Sequence, residues 1–262
     1  MKIVQFMGNR SKADFIIYLA HSISAMKKRV LIVDATSSYE YYYGIIRKVE
    51  ENEVLYDFNG FEILATGKAI TNIDWELEKA NECMENYDYI LIDVNKIQKS
   101  IMALPIEKSY YVSDNIRTNI MKDIDLLHDY ADLSGITNIH QLYFESTIHI
   151  SEDYISLLTN GRFNFVQNVD TFEFAENQDY LKEFIQHEGS VPFDKLSKNY
   201  KLNVKSVAAE ITNDAIVDYD IVLKTGLFQR IFNKRKPSNV NNISNSIKAL
   251  PPVMAGEHIK EG

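Results

Sequence analysis

Residues Lys2–Thr36 read as strand, loop, helix, strand, and no other stretch limits the possible folds as sharply. Lys2–Phe6 is a short apolar run, and Met7–Asp14 (MGNRSKAD) is a polar loop holding Gly8 and Lys12. Phe15–Met26 carries apolar residues at helical spacing, and Arg29–Val33 (RVLIV) is a strand of the buried type ending on Asp34. A strand that feeds a loop and then a helix N-terminus brings free backbone amides and the positive end of the helix dipole together. Phosphate groups are stabilised at such places.

The rest of the chain repeats the alternation. Glu53–Phe58 and Phe61–Thr66 are β-type runs joined by Asn59-Gly60, a strong hairpin signal. Asp74–Met84 is expected as an amphipathic helix, and Tyr87–Asp93 (YDYILID) as a buried strand with an acid at its end. Ser109–Val112, Ile139–Phe144, Phe163–Val166 and a short edge piece at Phe172–Phe174 continue the strands. Helices are expected at Asn115–Ala131, with Ile116, Ile120, Ile124 and Leu127 on one face, and at Ser151–Leu158, capped by Ser151. The last two of the fold are Gln178–Gln186 and Ser197–Ile211. This pattern predicts the α/β class: a mainly parallel, doubly wound sheet flanked by helices in three layers. Ligands of such sheets sit at the carboxyl ends of the strands, where Asp34, Asp93 and the Met7–Asp14 loop converge. Ala35–Gly44 (ATSSYEYYYG) is expected as a loop whose tyrosines pack over a sheet edge or an interface.

Composition excludes several classes. A net charge of -9 disfavours a general grip on nucleic acid. The single cysteine, Cys83, cannot form an internal disulfide or a Cys-rich metal site, which fits a reducing cytoplasm. No apolar run approaches the roughly 20 residues that span a bilayer, and no signal peptide is visible. The histidines are too scattered for a metal site, and no Gly-x-Ser-x-Gly elbow, Cys/His pair or His-Glu-x-x-His is present.

The order of the pieces resembles the MinD/ParA family of deviant Walker P-loop ATPases over residues 1–235. Met7–Asp14 aligns without gaps on the family loop KGGxGKTT. Lys28–Asp34 (KRVLIVD) is similar to the strand that ends on the switch I acid, and Tyr87–Asp93 to the Walker B strand with Asp93 as its acid. The resemblance therefore assigns Gly8, Lys12, Asp34 and Asp93 to a nucleotide site. The loop also departs from the family. Its first lysine falls on Met7, its second and third glycines on Asn9 and Ser11, and its magnesium-binding hydroxyl on Ala13. Ala13 has no oxygen for the Mg²⁺ that neutralises phosphate charge during transfer, and Asp14 puts a carboxylate at the helix N-terminus. The family's second switch I acid falls on Thr36, and the residues after Asp93 (VNKIQK) lack the usual switch II Pro or Gly. The expectation is a pseudo-ATPase with no catalytic residues, no metal and no required cofactor. ATP binding without efficient hydrolysis stays open, as does Lys12 being merely a solvated loop residue.

In Gly226–Lys236 (GLFQRIFNKRK), Leu227, Phe228, Ile231 and Phe232 fall on one helical face, with Arg230, Lys234, Arg235 and Lys236 supplying charge before Pro237. Such a helix lies in a membrane interface and resembles the membrane-targeting tail of MinD; a helix docked on the protein body or a partner is the alternative. The chain thus divides into an α/β domain (1–225), a basic amphipathic helix (226–236) and a flexible tail (237–262) rich in Asn, Ser and Pro. Members of the family with degraded loops resemble TadZ/CpaE-type proteins of pilus assembly and secretion. The expected function is a cytoplasmic scaffold or positioning protein, peripheral at the inner face of the cell membrane, dimeric through apolar side chains or Tyr39–Tyr43. The alternatives are an active nucleotide-switched ATPase cycling on the membrane and a partitioning protein.

Overall fold

The computed structural model describes residues 1–46, 53–135, 137–144, 152–166, 170–173 and 177–223. In chain order the elements are β1 (Lys2–Met7), α1 (Ala13–Ala25), β2 (Val30–Ala35), α2 (Glu40–Gly44), β3 (Leu55–Phe58), β4 (Phe61–Leu64), α3 (Ile73–Glu78), β5 (Tyr89–Val94) and α4 (Lys99–Met102). They continue with β6 (Ile106–Ser113), α5 (Arg117–Ser134), β7 (Thr137–Phe144), α6 (Glu152–Leu158), β8 (Phe163–Phe165), β9 (Asp170–Phe172), α7 (Gln178–Glu188) and α8 (Lys198–Thr212). Residues 216–223 are also helical.

The nine strands form one sheet in the order β3-β4-β2-β5-β1-β6-β7-β8, with β9 also on β7. Among the described residues every pairing is parallel except the β3–β4 hairpin. At its turn Asn59 (φ 55) and Gly60 (φ 92) are both left-handed, the backbone an Asn-Gly pair supplies most readily. Past β7 the rim is shared: β8 pairs with Thr137–Ile139 and β9 with Leu142–Phe144, end to end on one strand.

Side chains alternate across the pleat into two core layers. Val4, Phe6, Ile32 and Leu91 meet Phe15, Ile16 and Leu19 of α1, Ile185 of α7 and Val204 of α8. Ile3, Met7, Val33 and Ile92 meet Leu77 of α3 and Ile120, Ile124 and Leu127 of α5. The three-layer arrangement expected from the alternation of elements is present.

Several elements differ from expectation. The helix expected over Asp74–Met84 ends at Glu78, because the amides of Ala80 and Glu82 both turn back to the Leu77 carbonyl and Asn81 goes left-handed (φ 57). The tyrosine loop contains the short helix α2. Ile116 is not on the apolar face of α5 but precedes it and is exposed, whereas Ile120, Ile124 and Leu127 are buried. The edge piece is Asp170–Phe172, and Phe174 lies outside the described residues, as does Ser151.

Candidate functional site

The β1–α1 loop crosses the carboxyl ends of the central strands, between β5 and β6. Gly8 anchors it, its amide bonded to the Val94 carbonyl at 3.1 Å. At φ +149 a side chain there is strained, and a Cβ would stand 2.2 Å from the Val112 carbonyl oxygen. Among the described residues of the loop, Gly8 alone has positive φ; Asn9 and Ser11 do not. The glycines missing from positions 9 and 11 are therefore not needed by this loop conformation. Met7, where the family pattern has a lysine, is fully buried in the core layer shared with α5.

Lys12 is not solvated. Its side chain is 2% exposed, its Nζ donates to the Gly8 carbonyl at 2.7 Å and pairs with Asp93 Oδ1 at 2.7 Å. The second Asp93 oxygen accepts the Tyr41 hydroxyl at 3.0 Å, and that ring is fully buried. Asp34 stands beside Asp93 at the same register of β2 and β5. Its Oδ1 accepts the Thr36 hydroxyl at 2.6 Å and the Thr36 amide at 3.2 Å, and its Oδ2 accepts the Tyr41 amide at 3.2 Å. Burial pushes Asp34 up to about 6, against the Thr36 hydroxyl bond that favours its charged form. Burial also raises Asp93, with Lys12 pulling the other way. Burial, then the adjacent Asp93 and Asp34 charges, lift the Tyr41 phenol well above its ordinary value, so it serves as a hydrogen-bond donor.

The loop's other polar groups are also turned inward. The Asn9 amide donates to Asp123 Oδ1 at 2.7 Å, the Asn9 Nδ2 reaches the same oxygen at 2.9 Å, and Tyr111 donates to Asp123 Oδ2 at 3.2 Å. Ser11 donates to Glu40 at 2.8 Å and accepts from Lys182 of α7 at 2.8 Å. Arg10 lies 4.1 Å over the Phe144 ring and 4.0 Å from Asp114. Ala13, which the sequence resemblance aligns with the family's magnesium-binding hydroxyl, is buried and has no side-chain oxygen. A cleft of about 270 Å³ remains above the loop, lined by Asn9, Arg10, Lys12, Ser37, Asp93 and Lys122 among others.

Gly8, Lys12, Asp34 and Asp93, singled out in the sequence, are thus brought together. Leu227, Phe228, Arg230, Ile231, Phe232, Lys234, Arg235 and Lys236 lie outside the described residues. Sequence reasoning missed Tyr41 and Asp123. A signal for the second existed: Asp123 interrupts the apolar stripe of α5 between Ile120 and Leu127, where an acid needs a partner.

A mostly parallel sheet wound on both faces by helices is the fold of the MinD/ParA class of P-loop ATPases. The sequence matches no protein-family model and no curated protein. Among solved structures it is similar to a chain of the MinC:MinD cell division protein complex of Aquifex aeolicus, with TM-score 0.55 and 13% identity over 82% of this chain and 97% of that one. It is similar to a ParA family ATPase from Chlorobium tepidum TLS, with TM-score 0.55 and 11% identity over 79% of this chain and 97% of that one. Apo McdA of Cyanothece gives TM-score 0.52 and 12% identity over 79% and 98%. At such identities the likeness is one of fold.

Proposed function

We propose that this chain is a pseudo-ATPase: a MinD/ParA-shaped scaffold or positioning protein that works without nucleotide turnover. One observation carries the reading. Lys12, the cation a phosphate would need, is sealed between the Gly8 carbonyl and Asp93, and Tyr41 closes the far side of Asp93. Freeing it for a ligand means leaving Asp93 buried and unpaired, which costs about 3–5 kcal/mol before any binding is gained. The absence of a magnesium-binding oxygen at Ala13 points the same way, since the metal stabilises transferred charge by several kcal/mol. Calorimetry with ATP and Mg²⁺ tests it. No saturable heat is expected, and micromolar binding abolished by Lys12→Ala would overturn the reading in favour of a nucleotide-switched ATPase.

The scaffold acts in this reading at the inner face of the cell membrane, as a homodimer or with a protein partner, in a machine of the pilus-assembly or secretion kind. The support is the sequence of Gly226–Lys236, with its apolar face and basic flank, and a fold shared with a chain from a complex of two proteins, MinC:MinD. One short helix is a marginal anchor, so dimerisation would raise residence through a second attachment. Flotation with anionic vesicles tests the helix. Phe228→Asp with Phe232→Asp should abolish binding, and unchanged binding would remove the membrane from the proposal.

A further inference from the structure

The helix over residues 216–223 rests on the body by one side. Tyr219 is fully buried, its hydroxyl 2.8 Å from that of Thr212, and Leu223 packs against the core. The outward side is apolar. Ile216, Val217 and Ile221 are 38%, 59% and 57% exposed, and Val217 and Ile221, four residues apart, are neighbours on the helix surface. Carboxylates border this strip. Asp218 and Asp220 lie on the same helix, Asp220 paired with Lys205, and Asp214 precedes it. Burial, then the charges of Asp214, Asp88 and Glu107, raises the Tyr89 phenol, so two further acids stand near Asp214.

An apolar strip with an acidic border fits an occupant that is apolar and basic. An anionic bilayer would be repelled by the acids, and a second copy of the same strip would set like charges against each other. The chain carries the complement itself. Residues 224–256 hold six Lys or Arg and no Asp or Glu, so this stretch is opposite in sign to the acidic body. Within it Leu227, Phe228, Ile231 and Phe232 share one helical face, followed by Lys234, Arg235 and Lys236. Lys224–Gly226 is three residues, a length that joins two antiparallel helices, and its glycine accepts the backbone a tight turn needs. An antiparallel return would bring Leu227 and Phe228 to Ile221, Phe232 to Val217, and the basic run to Asp214 and Asp218. So short a tether also makes the local concentration of the segment high.

We propose that Ile216, Val217 and Ile221 are a seat on the body for the apolar face of Leu227–Phe232, with Asp214 and Asp218 receiving Lys234, Arg235 and Lys236. Docked, that face is covered, so the seat competes with any other surface the segment binds. The inference does not depend on the pseudo-ATPase reading.

Limited trypsin digestion of the full chain, without lipid, tests it. Cleavage after Arg230 tracks the undocked fraction, and cleavage after Lys248 is the reference. Wild type should be cut after Arg230 at least about tenfold more slowly than Val217→Asp with Ile221→Asp, equivalent to about 1.4 kcal/mol of docking, with the rate after Lys248 unchanged. Equal rates after Arg230 in wild type and variant overturn the proposal. Val217→Ser with Ile221→Ser, a milder change at the same exposed positions, should move the rate in the same direction, and it decides the matter if the Asp pair fails to fold. Tenfold dilution should leave the protection of wild type intact. Protection lost on dilution would assign the strip to a second copy and overturn the intramolecular seat. Because no lipid is present, the result stands whichever way the flotation experiment falls.

Discussion

Asp34 and Asp93 face the same end of the sheet from adjacent, in-register strands, yet Lys12 pairs with Asp93 alone. Asp34 is instead held by the Thr36 hydroxyl and by the amides of Thr36 and Tyr41. Two buried carboxylates so close are tolerated because one has a cation and the other three dipolar donors.

This division makes Lys12 a structural residue. Lys12→Met should lower unfolding free energy by about 3–5 kcal/mol at neutral pH, since it strands a buried carboxylate. Adding Asp93→Asn to Lys12→Met should recover part of that loss. Urea unfolding of the two single variants and the double variant measures the coupling, and strict additivity would contradict the pairing.

Tyr41→Phe keeps the ring in the core and deletes only the hydroxyl on Asp93. A loss of about 1–3 kcal/mol is expected, the usual range when a buried acceptor is left short of a donor. A change near zero would mean that Asp93 is satisfied by Lys12 alone.

Gly8→Ala should fail to fold or should lose several kcal/mol. Its Cβ would lie 2.2 Å from a backbone oxygen of β6, and backbone strain at φ +149 adds of order 1–3 kcal/mol. Thermal melting reads the effect, whereas Asn9→Ala, without positive φ, should be much milder.

Asp123 sets a pH dependence with a definite sign. Burial raises it from 3.8 to about 6, so the folded chain holds this proton more tightly than the unfolded one. The associated stability is complete below pH 3.8 and is lost as pH rises through about 6, to a total of about 3 kcal/mol. Asp123→Asn removes the titration. The stability of the variant relative to wild type should therefore rise between those limits and level off above them. A flat difference would show that the carboxyl does not titrate there.

Much of this was legible in the chain itself. The strand–loop–helix unit at the N-terminus, the Asn59-Gly60 hairpin and the acids closing β2 and β5 are local patterns whose periodicity survives in any context. Tyr41 was harder to see, since α2 has five residues and its buried ring is distinguished only by what lies across from it. The bond between Asn9 and Asp123 joins positions 114 residues apart, and no spacing rule reaches so far. The solvated alternative for Lys12 failed for a similar reason: its burial is decided by β5 and α2, which sequence neighbours do not reveal.

The divided rim of the sheet has a consequence for behaviour in a crowded solution. A long, straight outer strand offers an unbroken ladder of hydrogen-bonding groups on which a strand from another molecule can assemble. Here β8 and β9 bring three residues each and are offset along β7, while β3 at the opposite rim brings four. Among the described residues a stray strand would meet only short, offset stretches of template, a topology that works against edge-to-edge aggregation.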